Sequence, residues 1–298
     1  MWQQLLKQIQ EGDIKALARA ISLVENSYPG YEELLLQLPA IHHTKIIGIT
    51  GPPGAGKIRL VDGLIGELIK EKRVAVLCID PSSPFNMGAV LGDRIRMYEW
   101  YTDPRVFIRS LASRGSMGGL HPKIIEITEV VKAAPFDYII LETVGVGQSE
   151  IEIAGLADVT LVVLVPESGD EIQTMKAGLM EIADVFVINK SDRPDADLFV
   201  RNLRTMLAPA FGRHQNEVPI IKTIASERKG LSEVKEAVEK KLSEKNFNEK
   251  KLWLFADKLY WLIQQERMKD IRKEDIKKAI SQMDGKDFNL YRLVQRFK

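Results

Sequence analysis

The spacing of apolar residues changes twice along the chain. From Trp2 to Leu38 they recur at helical intervals, with Ile14, Leu17, Ala18, Ile21 and Val24 on one face and Asp13 placed as an N-cap. Two or three short helices are expected there, parted at Pro29-Gly30. After Pro39, and from Lys45 onward, short β-branched runs alternate with amphipathic stretches. The runs predict strands from Ile46 to Thr50, Val74 to Asp80, Tyr138 to Glu142, Val159 to Val165, Val185 to Asn189 and Pro219 to Ile224, with helical segments between them. Strands this continuously apolar predict a mostly parallel sheet with helices on both faces, a three-layer α/β sandwich. After Leu242 the chain is charged and helical again, from Lys250 to Arg267 and from Lys273 to Phe297, with Trp253, Phe255, Tyr260 and Trp261 gathered in the first stretch. The expected organisation is a helical segment over 1–40, an α/β domain over 41–245 and a helical arm over 246–298. The aromatic cluster of that arm either docks it on the domain or forms a subunit interface.

With 298 residues and 45% hydrophobic side chains, the chain can bury a full core. Lys and Arg number 42 against 41 Asp and Glu, so charge gives no reason to expect a nucleic-acid or acidic-membrane partner. The one cysteine, Cys78, can form neither an intramolecular disulfide nor a thiolate zinc site. The N-terminus lacks the apolar block of a signal peptide, and no run of about 18 apolar residues could span a bilayer. A cytoplasmic protein is expected.

Directly after the first predicted strand comes Gly51-Pro52-Pro53-Gly54-Ala55-Gly56-Lys57, opening a helix through Leu60, Leu64 and Leu68. Glycines allow successive backbone N–H groups to turn inward around a phosphate, the helix N-terminus adds partial positive charge, and Lys57 reaches the outer phosphates. A purely structural Gly-Pro turn is the alternative, but spacing and strand-to-helix context both favour the phosphate loop. The motif departs from its pattern at Ile58, where a hydroxyl residue normally ligates magnesium. A hydrocarbon side chain cannot do so, which predicts nucleotide binding with slow turnover. Arg59 either approaches a phosphate or points to solvent.

Asn189-Lys190-Ser191-Asp192 follows an apolar strand, on the side of the sheet where bases bind. Asp192 can accept hydrogen bonds from the guanine ring N–H and exocyclic amine, and the Lys190 stem can lie over the base. Thr223-Ile224-Ala225-Ser226 follows the next strand as a second base loop, making guanine the expected base and GTP or GDP the expected ligand. Between phosphate and base motifs lies Glu142-Thr143-Val144-Gly145-Val146-Gly147-Gln148-Ser149. Glu142 can face a metal and the γ-phosphate, and Gly145 suits a backbone contact that senses that phosphate. Val146 stands where many GTPases carry a water-orienting glutamine, leaving Gln148 and Gln173 as candidates for that role.

Four further blocks, Asp80-Pro81-Ser82-Ser83-Pro84-Phe85, Leu91 through Met97, Glu142 through Glu150 and Gly169-Asp170-Glu171-Ile172-Gln173, complete a resemblance over nearly the whole length. The chain resembles the MeaB/ArgK group of P-loop GTPases, chaperones of adenosylcobalamin-dependent methylmalonyl-CoA mutase and its relatives. The resemblance implies a homodimer that binds the mutase, gates loading of its cofactor and protects it from inactivation. It also implies that Asp80, Asp93 and Glu142 surround Mg2+ and that Phe85 to Met97 and Glu142 to Gln148 are the first and second switches. A third segment, Gly169 to Gly178, would signal to the mutase, with Lys176 coupling partner binding to hydrolysis; a solvated helix lysine is the alternative. The chain departs from the family at Ile58-Arg59, usually Ser-Thr, and at Asn86-Met87, commonly Thr-Gly.

Other classes stay open on the sequence. A small-molecule kinase, an activity historically attached to the ArgK name, would not need the guanine motif. A nickel-delivery GTPase would need a cysteine or histidine cluster, and His42-His43 alone reads as surface. A nucleotide-locked scaffold that binds the mutase without turnover draws its support from Ile58.

Overall fold

A computed structural model of the chain describes residues 1–39, 43–80, 97–113, 120–143, 152–168, 177–211, 218–244, 249–282 and 289–297. They fall into two compact units, Met1–Asn246 and Phe247–Lys298.

The first unit is built on seven strands: β1 (Lys45–Thr50), β2 (Val74–Asp80), β3 (Val106–Ala112), β4 (Tyr138–Glu142), β5 (Val159–Leu164), β6 (Val185–Ile188) and β7 (Ile220–Lys222). They form one sheet in the order β3-β2-β4-β1-β5-β6-β7, and every pairing is parallel. Its helices are α1 (Trp2–Gln10), α2 (Ile14–Glu25), α3 (Tyr31–Leu36), α4 (Lys57–Leu68), α5 (Ile124–Lys132), α6 (Ala177–Ile182), α7 (Ala196–Phe211) and α8 (Leu231–Ser243).

Strands β2, β4, β5 and β6 are buried along their whole length, which is why they read as unbroken apolar runs. On one face Ile47, Ile49, Val76, Ile140, Leu161 and Val187 pack with Leu60 and Leu64 of α4 and with Leu231, Val234 and Val238 of α8. The two helices meet at Gly63, where a Cβ would come within 2.4 Å of Leu231 Cδ1. Val162, Leu164, Phe186 and Ile188 pack instead with Phe199, Val200 and Leu203 of α7. The N-terminal helices α2 and α3 contact α5.

Asp13 caps α2 as expected, accepting from the backbone N–H groups of Lys15 at 2.8 Å and Ala16 at 3.1 Å. The buried stripe of α2 is Ala16, Leu17, Ala20, Ile21 and Val24, whereas Ile14 and Ala18 are only half-buried. The buried face is thus turned toward Ala16 and Ala20 and away from Ile14 and Ala18. Strand β3 was not anticipated, because Arg109 and Ser110 interrupt its apolar run. It is tolerated as an edge strand since α2 neutralises it: Arg109 Nη2 donates to Ser22 Oγ at 3.1 Å and to Glu25 Oε2 at 2.9 Å. Strands β5, β6 and β7 end one or two residues earlier than expected, with Asn189 N and Thr223 N still donating to Leu164 O and Ile188 O just beyond their last pairs.

The second unit contains α9 (Glu249–Met268), α10 (Lys273–Ser281) and α11 (Leu290–Val294), then a 3-10 turn at Gln295–Phe297. Among the described residues, the stretch from Lys273 to Phe297 expected to be helical holds two helices and this turn. A new helix begins where Asn289 caps it, accepting from Tyr291 N at 3.0 Å and Arg292 N at 3.1 Å. On α9 Trp253 and Tyr260 are 67% and 63% exposed, and Leu252, Leu259 and Ile263 are exposed beside them. The Phe255 side chain lies outside the described residues. No helix among the described residues is long and apolar enough to cross a membrane.

Replacing Glu25 with Ala should leave the Arg109 guanidinium, largely shielded from water, without its carboxylate. The expected cost is about 1–3 kcal/mol of stability, read by urea denaturation, with an unchanged midpoint counting against the pair.

Candidate functional site

The loop between β1 and α4 has the backbone that a phosphate cradle requires. Gly51, Gly54 and Gly56 have φ of 139°, 78° and 85°. A Cβ at Gly51 would lie 2.1 Å from Val163 O, and one at Gly56 would lie 2.5 Å from Asn189 Nδ2, whereas at Gly54 nothing lies within 4 Å. The loop is thus pressed against β5 and Asn189 at its ends and open at its middle. Helix α4 begins with no side-chain cap and no acidic residue in its first turn, which suits its N–H groups to an anion. Lys57 is only 6% exposed, and its Nζ donates to Gly51 O at 2.9 Å and Pro52 O at 3.1 Å. Phosphate oxygens entering the loop would compete for this ammonium. Ala55 is buried, Pro52 half-buried and Pro53 exposed; Ile58 is half-buried on the first turn of α4 and Arg59 exposed.

The base side is built around Asn189, buried at the end of β6. Its Nδ2 donates to Ala55 O at 2.9 Å, and its Oδ1 accepts from Thr223 Oγ1 at 3.2 Å and from Ala225 N at 3.1 Å. Lys190, at a φ of 56°, reaches across to donate from Nζ to Gly54 O at 2.8 Å. Asp192 and Ser226 are exposed at the rim, and Ser191 N donates to Thr223 O at 3.0 Å. A hydrogen bond from Lys229 to Glu227 holds that lysine's ammonium above its ordinary pKa, and the Asp192 carboxylate adds a smaller pull.

Two carboxylates complete the described part of the site. Glu142 is 4% exposed and Asp80 2% exposed. Cys78 pairs with Glu142 across β2 and β4, and Asp80 lies two residues beyond Cys78, so both acids lie on the α4 face of the sheet. Buried carboxylates at the open end of a sheet suit a hard divalent cation with oxygen ligands, whereas Ile58 adds no ligand. No group of three or more His, Cys, Asp or Glu that could hold a metal occurs among the described residues. Asp93, Gly145, Gln148, Gln173 and Lys176 lie outside them, as do Asn86-Met87 and His42; His43 is exposed. Sequence reasoning missed the buried contact of Thr50 Oγ1 with Thr143 Oγ1 at 3.0 Å, which ties the strand ends from which two of these loops leave. Its signal is a hydroxyl ending each of two apolar runs.

Strand, glycine loop, buried lysine and helix, closed by a second loop through Asn189, define a P-loop nucleotide-binding α/β protein. Comparison with known proteins gives the family. Residues 17–274 match the family model described as methylmalonyl Co-A mutase-associated GTPase MeaB, so the chain belongs to that family of GTPases. A candidate GTPase of Pyrococcus abyssi is 48% identical over 239 residues, covering 78% of this chain and 74% of that one. The fused isobutyryl-CoA mutase of Geobacillus kaustophilus is 37% identical over 237 residues, covering 74% of this chain but 22% of the mutase. The crystal structure of a LAO/AO transport system kinase superposes with a TM-score of 0.69 at 25% identity, covering 99% of this chain and 95% of that one. The resemblance read from the motifs and the α/β P-loop fold are both borne out.

The glycines should not be equivalent. Gly51→Ala drives a methyl into the β5 backbone and should lower GDP affinity by about 100-fold or more, while Gly54→Ala meets only backbone strain of about 1–2 kcal/mol and should cost about tenfold. Titration with a fluorescent GDP analogue distinguishes them, and equal losses would mean that contact with Val163 does not shape the loop.

Proposed function

We propose that this GTPase is a chaperone of an adenosylcobalamin-dependent acyl-CoA mutase, gating cofactor loading and protecting the mutase, with intrinsic turnover limited at Ile58. The observation that carries the partner is the Geobacillus kaustophilus relative, in which a matching domain belongs to the same polypeptide as an isobutyryl-CoA mutase. Fusion makes sense where two activities must meet at high effective concentration. In this reading Gly51 through Lys57 hold the phosphates, Asn189, Lys190 and Asp192 select guanine, and Ala225 and Ser226 close over the base. Asp80 and Glu142, with Asp93 by family resemblance, would hold Mg2+, which neutralises phosphate charge when bound. Gly145 would sense the γ-phosphate, Gln148 would orient water, and Lys176 would couple hydrolysis to the mutase.

A homodimer is part of the proposal. Trp253 and Tyr260, like Leu252 and Leu259, stand seven residues apart on α9 and so share one exposed face of that helix. A stripe of this kind suits a second copy better than water does.

The second reading, a nucleotide-locked scaffold without turnover, is favoured by the missing hydroxyl at Ile58. One substitution separates the two. If Ile58 alone limits hydrolysis, Ile58→Ser should raise the single-turnover rate about tenfold or more while GDP affinity changes less than about twofold. An unchanged rate would place the limit elsewhere. A pull-down of purified cobalamin mutases on the nucleotide-loaded chain tests the partner, and retention of none of them in either nucleotide state removes the chaperone reading.

A further inference from the structure

Residues Tyr98–Trp100 form a 3-10 turn just before β3, preceded by the fully buried Met97. Tyr98, Glu99 and Trp100 lie outside the nucleotide site described above, yet their turn is tied to two of its parts. The half-buried Trp100 donates from Nε1 to Asp62 Oδ1 at 2.8 Å. Its ring lies against Gly66, where a Cβ would sit 3.5 Å from Trp100 Cη2 and 3.6 Å from Cζ2. Asp62 and Gly66 are four apart on α4, so they present one face to the indole, with Asp62 accepting its N–H and Gly66 leaving room for its plane. That helix is the one that begins with Lys57.

The neighbouring Glu99 accepts from Arg228 Nη2 at 3.2 Å. Arg228, at a φ of 57°, ends the turn Ala225–Glu227, and Ala225 N is bound to Asn189. The Glu99–Arg228 pair has both side chains about half exposed, and such surface pairs contribute only about 0–1 kcal/mol. The indole–carboxylate bond is charge-assisted and partly shielded from water, so it is the stronger of the two ties.

We propose that Trp100 is a positioning residue for GTP hydrolysis. Through Asp62 and Gly66 it fixes to the phosphate-loop helix the turn that follows Met97, the last residue of the segment that the family resemblance implies as the first switch. The inference rests on the reading of the chain as a GTPase whose switches respond to nucleotide. A residue that only packs would act through stability, whereas a positioning residue acts on the rate of the bound complex.

The test uses the full chain under single-turnover conditions with GTP, alongside fluorescent-GDP titration and thermal melting. Trp100→Phe keeps the packing on Gly66 and removes the N–H; Asp62→Ala removes the acceptor, and Asp62→Asn keeps an oxygen in its place. Each of the first two should slow hydrolysis of bound GTP about tenfold, the equivalent of roughly 1.4 kcal/mol, with GDP affinity within about twofold of the parent. Asp62→Asn should recover most of the rate, and the Trp100→Phe/Asp62→Ala double variant should be no slower than either single one. Parent-like rates in all four variants, with GTP still turned over by the parent, overturn the anchor and leave the GTPase reading standing. Losses of rate, GDP affinity and melting temperature in parallel overturn it as well, since they mark a structural role. A parent chain that binds GDP but never cleaves GTP overturns both readings.

Discussion

One buried carboxamide holds the nucleotide site in shape. Asn189 gives its N–H to Ala55 O and takes hydrogen bonds from Thr223 Oγ1 and Ala225 N, so three loops from three strand ends depend on one side chain. Its position also explains why residue 56 is a glycine, since a Cβ there would collide with the amide nitrogen. A buried amide in this setting must satisfy both its ends, because each unpaired group would cost about 1–3 kcal/mol. Phosphate cradle and base loops are consequently not independent modules. Lys190 adds a second tie between the same two loops by reaching Gly54 O.

That arrangement is possible only because the strands are parallel and their carboxyl ends open on one edge. Strand order reverses beside β1, the place at which open parallel sheets take ligands beyond their carboxyl ends. The apolar runs announced these strands well, because a strand covered on both faces has nowhere to place a polar residue. Strands β2 and β4 appear with the bounds that the pattern implied. Strand β3 did not announce itself. At the sheet's edge it carries Arg109 and Ser110, and the partners that make Arg109 tolerable lie on α2, more than eighty positions earlier in the chain. No local window contains that information. The division of the C-terminal helices was missed for a related reason: an Asn cap resembles any other polar residue until the helix it begins is known.

The site shows the same split between local and distant information. Glycine spacing, the lysine and the Asn-Lys-x-Asp tetrapeptide are local patterns, and the structure brings the segments that carry them into contact. What they could not convey is where the charges rest. Lys57 lies folded back on the carbonyls of its own loop, and Asp80 and Glu142 share a face only through the pairing of β2 with β4. The hydroxyl pair of Thr50 and Thr143 likewise depends on β1 and β4 being neighbours although 93 positions separate the two residues. Trp100 illustrates the limit most sharply, since nothing around it in sequence distinguishes an indole resting on Gly66 from one in solvent.

In the proposed function, the interactions that would grip a nucleotide and those that would cleave it are carried by different atoms. In the proposed reading, binding would draw on backbone N–H groups at the start of α4, the Lys57 ammonium and the Asn189-centred base loops, none of which needs the side chain at position 58. A hydroxyl at that position matters for a different reason, because it would orient a cation against the two terminal phosphates as charge shifts between them. With Ile58 there, a bound cation would lack one protein oxygen, while the donors that would hold phosphate are all kept. The expected result is a molecule whose nucleotide state is set by exchange more than by its own chemistry. Such a molecule would be controlled chiefly by whatever partner alters the ends of its loops.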